Sequence, residues 1–167
     1  PLSKSLLEKG YIGSAEASFF PAMNTAGGVH PVVECTQNIP CDPCQDICPK
    51  GCILVGETIT RLPELDRGKV CSACGLCVGG CSGQAIFLVN EQYREGYGTV
   101  GLPYEFLPLP EKGGKGRALD RSGAEICDAT VVDVRKSGAM DKTAMLVMEV
   151  PADRVADARF FRAKERG

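Results

Sequence analysis

Residues 71–86 read CSACGLCVGGCSGQAI. Cysteine recurs as C-x2-C-x2-C-x3-C, at Cys71, Cys74, Cys77 and Cys81. Two-residue spacers curl one loop so that its thiolates and N–H groups surround one face of a compact group. This spacing suits a cubane iron–sulfur cluster. Three ligands come from the loop itself. The fourth cysteine opens a short helix on the far side and reaches a second cluster. Zinc sites usually separate their cysteine pairs by roughly twelve residues or more, so one dense loop points to iron–sulfur rather than zinc.

The upstream stretch CTQNIPCDPCQDICPKGC (35–52) holds five cysteines in eighteen residues. Its segment CPKGCI (48–53) aligns with CSGQAI (81–86). Cys48 then corresponds to Cys81, Cys44 to Cys77, Cys41 to Cys74 and Cys35 to Cys71. Five residues separate Cys35 from Cys41 where two are expected, so this half is the same loop with an insert. Pro40 and Pro43 stiffen it. The repeat predicts crossed ligation. Cluster one takes Cys35, Cys41, Cys44 and Cys81. Cluster two takes Cys71, Cys74, Cys77 and Cys48. Cys52, opposite Ala85, is the surplus thiol. A local alternative uses Cys41, Cys44, Cys48 and Cys52 and frees Cys35. It breaks the symmetry and leaves the second cluster short of a ligand.

Composition narrows the class. The chain has 167 residues, net charge −2 and no Trp. Near-balanced charge argues against a nucleic-acid binder, which carries a basic stripe. No apolar run is long enough for a membrane span. Nine of the ten cysteines lie between Cys35 and Cys81. Close neighbours bridge poorly as disulfides, so they read as ligands. With no charged-then-apolar leader ahead of the first motif, a cytoplasmic location is expected.

Four regions are expected. Residues 1–33 form an N-terminal helical and loop extension, with short helices at SKSLLEKG (3–10) and SAEASFF (14–20). Residues 34–90 form the dicluster domain, with a short hairpin within 53–70. Residues 91–116, rich in Gly, Pro and Tyr, read as a connector or docking strip. Residues 117–167 form a small β-rich unit. In it AEICDATVVDVRKS (124–137) and TAMLVMEV (143–150) read as strands, and PADRVADARFF (151–161) as a closing helix. The expected fold class is α+β: a pseudo-twofold core of short hairpins and helices, with a mostly-β C-terminal unit.

Lesser features read as structural. His30, the sole histidine, sits in a loop beside Pro31. Cys127 lies in a strand pattern and reads as a buried structural cysteine. GGKG (113–116) lacks phosphate-loop spacing. No credible hydrolytic constellation and no dinucleotide fingerprint is present, so no catalytic residue is expected in this chain.

At residues 34–90 the chain resembles a bacterial dicluster ferredoxin. It departs at the insert after Cys35 and at Ser82, where that family usually has proline. A wider resemblance rests on ECTQNIPCDPC (34–44), CGLCVGGCSGQAIF (74–87), YEFLPLPEKG (104–113) and AMDKTAMLVMEVP (139–151). These stretches look like small iron–sulfur proteins of anaerobic bacteria. Those are encoded beside FAD-dependent oxidoreductases and a small [2Fe-2S] protein, in complexes resembling dehydrogenases of proline, hydroxyproline, sarcosine or glycerol 3-phosphate. The resemblance implies an electron-transfer subunit with two [4Fe-4S] clusters, and FAD only in a partner flavoprotein. A free-standing ferredoxin acting as a diffusible carrier is the alternative, and a cluster-braced adapter is a third reading.

Overall fold

In a computed structural model, residues 4–13 and 28–164 are described. Helix α1 (Lys4–Lys9) ends at Gly10, whose N–H bonds the Leu6 carbonyl at 2.8 Å. The helix expected at 14–20 lies outside the described residues.

The expected α+β, ferredoxin-like core is overturned. The chain is organised by one seven-stranded antiparallel sheet, in the order β1-β4-β5-β8-β7-β6-β9. Its strands are β1 (His30–Val33), β4 (Ile86–Arg94), β5 (Tyr97–Tyr104), β6 (Lys115–Leu119), β7 (Glu125–Arg135), β8 (Ala144–Pro151) and β9 (Phe160–Ala163). The cysteine loops lie between β1 and β4. They carry only short elements: α2 (Pro43–Asp46), β2 (Ile53–Leu54), β3 (Glu64–Leu65) and α3 (Leu76–Gly80). β2 pairs with β3, the hairpin expected within 53–70.

The reason lies in sequences that bury both sheet faces. β4 begins Ile86-Phe87-Leu88-Val89, all buried. Alternate residues point to opposite faces. Phe87 and Val89 enter a core with Val100, Leu102, Leu146, Met148, Val150 and Phe161. Ile86 and Leu88 enter a second core with Val33, Cys44, Cys77, Val78 and Met145. The cysteine loops therefore rest on the outer face of the sheet and share its strands. They do not form a separate body.

Two further expectations are corrected. Residues 97–104, read as connector, form β5 inside the sheet, paired to β4 and β8. Gly98 permits this close packing: a Cβ there would lie 2.4 Å from Val155 Cγ2 and 2.7 Å from the Asn90 carbonyl oxygen. Pro103 lies beyond the β4 pairing, which ends at Gly101, so its missing N–H is tolerated on that side. The second correction concerns 151–161. Residues 152–154 make one 3-10 turn, and Phe160 and Phe161 begin β9. Val155, Ala158 and Phe161, spaced as on one face of a helix, are buried, but by a turn and an edge strand rather than a helix.

Register shifts interrupt the β4–β5, β6–β7 and β7–β8 pairings. Such bulges bend strands and increase twist. The sheet curls enough to bring its opposite ends together. Glu34, just after β1, accepts a hydrogen bond from Arg159 Nε, just before β9, at 2.8 Å. Tyr104 stacks on Phe160 at 5.6 Å, linking β5 to β9 across the rolled sheet.

Candidate metal centre

The repeat seen in the sequence survives as local loop geometry. In the first loop, the Gly51 N–H bonds the Cys48 carbonyl at 3.0 Å, and the Cys52 N–H reaches Cys48 Sγ at 3.2 Å. In the second loop, the Gln84 N–H bonds the Cys81 carbonyl at 3.0 Å, and the Ala85 N–H reaches Cys81 Sγ at 3.4 Å. The fourth residue of each turn has positive φ, 59° at Gly51 and 51° at Gln84. Glycine takes that conformation freely, whereas Gln84 takes it at a steric cost. α2 and α3 meet at their ends: a Cβ on Gly80 would stand 2.5 Å from Ile47 Cδ1.

The thiols fall into two crossed sets. Burial first pushes Cys44 up to about 11, followed by the neighbouring Cys81, Cys35 and Cys41. Burial likewise pushes Cys77 up to about 12, followed by Cys71, Cys74 and Cys48. Each most buried thiol thus feels the other three members of the set expected for it. Burial also raises Cys35, with the Gln37 N–H opposing and Cys81 and Cys41 adding. Cys71 is raised by burial, eased by the Ala73 N–H, and raised again by Cys74 and Cys48. Cys48 differs. Burial raises it, but backbone N–H groups of Cys52, Lys50 and Ile53 outweigh that and leave it lowered.

The first set lines a cavity of about 220 Å3 together with Thr36, Ile39, Ser82 and Ile86. Ser82 Oγ lies 3.9 Å from Cys41 Sγ, at the position where proline was expected. The insert after Cys35 is held by the loop ahead of β3. There the Cys41 N–H bonds the Ile59 carbonyl at 3.1 Å, and Asn38 Nδ2 bonds that of Thr60 at 3.0 Å.

All ten cysteines are free thiols. Among the described residues, no three His, Cys, Asp or Glu side chains converge as ligands of a single ion. A cubane carries iron at four corners, so its thiolates stand further apart than those around one ion. Crowded, desolvated thiols resist ionisation, and a cationic cluster offsets that resistance. On this chemistry the residues fit two such groups.

Cys52 is buried and sits beside the second set. Burial pushes it up to about 11, and Cys48 and Cys71 add to this. Cys127 is half-buried on β7, opposite Ala118 on β6. His30 is in β1 rather than a loop, with Nε2 3.3 Å from Glu91 Oε1.

Sequence reasoning missed what holds these loops. A Cβ on Gly75 would lie 2.6 Å from Met145 Sδ, and one on Gly79 would lie 2.4 Å from Met140 Cγ. The second loop therefore needs bare backbone where the sheet side presses on it. Beside the first loop, Glu34 accepts from Arg121 Nη2 at 2.6 Å and Nε at 2.9 Å, as well as from Arg159. All three side chains are at most 9% exposed.

No family model matches the chain, and neither a curated protein nor a solved structure is significantly similar to it. No described helix is long and apolar enough to cross a membrane.

Proposed function

We propose that this chain is the electron-transfer iron–sulfur subunit of a multisubunit flavin-dependent dehydrogenase, acting between a partner's flavin and an acceptor. Two [4Fe-4S] groups are held, one by Cys35, Cys41, Cys44 and Cys81, the other by Cys71, Cys74, Cys77 and Cys48. The observation that carries this reading is the gathering of eight thiols into two crossed sets. Bound there, a [4Fe-4S] group supplies one-electron redox chemistry. The chain's own residues bind and insulate. N–H groups of Cys52, Ala73 and Ala85 point at Cys48, Cys71 and Cys81 sulfur, and such bonds favour the thiolate. Val78, Ile86 and Ile53 shield the sets from water. The partner is a flavoprotein in a reducing, cytoplasmic setting, and the amino-acid or polyol substrate belongs to that partner.

Anaerobic purification tests the reading. About eight iron atoms per chain are expected, the sum of two four-iron groups, with an interacting two-centre EPR signal on reduction. Zinc, or about four iron, would refute the crossed assignment. Cys35→Ala should lose about half the iron and the interaction, whereas Cys52→Ala should keep both. Co-expression with flavoprotein candidates should give a complex. A lone monomer exchanging electrons freely would favour the diffusible carrier instead.

A further inference from the structure

The chain carries a buried charge cluster whose signs do not cancel. Glu34 faces two guanidinium groups, Arg121 from the turn after β6 and Arg159 from the approach to β9. Arg159 Nη1 is further fixed by the Val155 and Ala158 carbonyls at 3.0 and 2.6 Å. Arg121 also bonds the Ala156 carbonyl at 3.0 Å. Among the described residues, Asp157 lies 3.9 Å from Arg121 but is 46% exposed, so water screens much of its charge, and the half-buried Asp120 of the same cavity accepts from the Ser122 and Ala124 N–H groups. Burial weakens screening of the inner three. Within those three alone, two guanidinium groups face one carboxylate.

Its place matters. Glu34 directly precedes Cys35. Glu34, Thr36, Gly83 and Ala85 line the cavity of the first thiol set. The same four residues line a second cavity of about 270 Å3 that Arg121 and Arg159 also line. A single layer of residues therefore separates the guanidinium groups from the first set. Neither arginine lines the first cavity, so they are not ligands. Among the described residues, the second set has no counterpart of this kind. Its nearby cations, Lys69 and Arg135, are exposed, and Arg135 is paired with Asp133 at 2.8 Å.

Building on the proposed electron-transfer role, we infer that Arg121 and Arg159 are positioning and tuning residues for the group held by Cys35, Cys41, Cys44 and Cys81. They favour its reduced form and so raise its potential selectively. Reduction adds one electron, and one negative charge, to a group that gains no proton. A fixed buried cation one residue layer away stabilises the added charge. The C-terminal strands thereby act on the first thiol set through space.

The test is an EPR-monitored redox titration of the full chain with dithionite and mediators. In Arg159→Gln, one of the two reduction waves should move to more negative potential and the other should stay. Glu34→Gln removes a negative charge and should move the same wave the opposite way. Arg159→Lys should restore the wild-type position, because it keeps the charge while losing the fork of hydrogen bonds. Arg121→Gln should shift that wave in the same direction as Arg159→Gln, and it stands in where Arg159→Gln fails to fold. Opposite shifts from opposite charges are a signature that a merely structural role does not give. Iron-loaded variants with unmoved waves, or with both waves moved equally, overturn the tuning role alone. Wild-type protein without iron–sulfur signals overturns the proposed function and the tuning role with it.

Discussion

The two cysteine loops share their turns but are fastened to the sheet by different forces. The first is tied at Glu34 by charge, through two arginines from distant turns. The second is tied by apolar contact, with Met140 and Met145 pressed onto Gly79 and Gly75. The difference teaches that an internal repeat fixes local geometry without fixing tertiary support. A charged anchor is directional and costly to break halfway, because a lone buried charge has nowhere to go. An apolar anchor depends on volume, and fails through cavities or overlap.

The sharpest way to break the comparison is to leave charge uncompensated in the first anchor. Glu34→Ala should cost about 4 kcal/mol, within the range for halving a buried ion pair, read as a lowered midpoint in urea unfolding. Replacing Glu34, Arg121 and Arg159 together with apolar residues should cost far less than that. Next is Met145→Ala, which empties a fully buried site between the sheet and the second loop. About 3 kcal/mol is expected, with the Cys74 and Cys77 region losing hydrogen-exchange protection before the first loop does. Smaller again is Gly80→Ala. Its new methyl presses hardest on Cδ1, the far end of Ile47, so about 1 kcal/mol is expected, partly relieved by Ile47→Val. Gly79→Ala should cost more than Gly80→Ala, because it meets Met140 near its backbone.

The smallest effect lies away from both loops. Glu149 on β8 is bonded by Arg94 on β4 at 2.6 and 2.7 Å. That hydrogen bond, against a smaller opposing effect of burial, holds the Glu149 carboxyl below its usual value. A lowered carboxylate contributes stability above its unfolded value, near 4.3, and loses it as pH falls through the lower folded value. Glu149→Gln should therefore remove under about 1 kcal/mol at neutral pH, and the gap from wild type should close in acid. A gap that widens in acid would contradict this.

Legibility followed the range of the interactions. The strands at 125–135 and 144–151 were readable because alternation is local and each buries alternate residues. The short pairing of 53–54 with 64–65 was readable for the same reason. β5 was not, since its glycines and proline have poor strand propensity and only packing against β4, β8 and Val155 makes them suitable. β9 was hidden because Val155, Ala158 and Phe161 have helical spacing, yet a 3-10 turn and an edge strand bury the same three residues. At the site, the internal repeat made the matching turns at Cys48 and Cys81 legible. It offered no sign of Glu34, Arg121 and Arg159, which lie 87 and 125 residues apart in their pairings.

By itself, then, the sequence determined the matching loop turns at Cys48 and Cys81 and the short β2–β3 pairing, because those depend on residues close along the chain. Only the tertiary structure decided that the loops lie on the outer face of a rolled antiparallel sheet, that the supposed connector supplies one of its interior strands, and that one loop is anchored by charge and the other by methionines. Those outcomes depend on burying both faces of β4 at once. Burial on that scale is settled by the whole chain together.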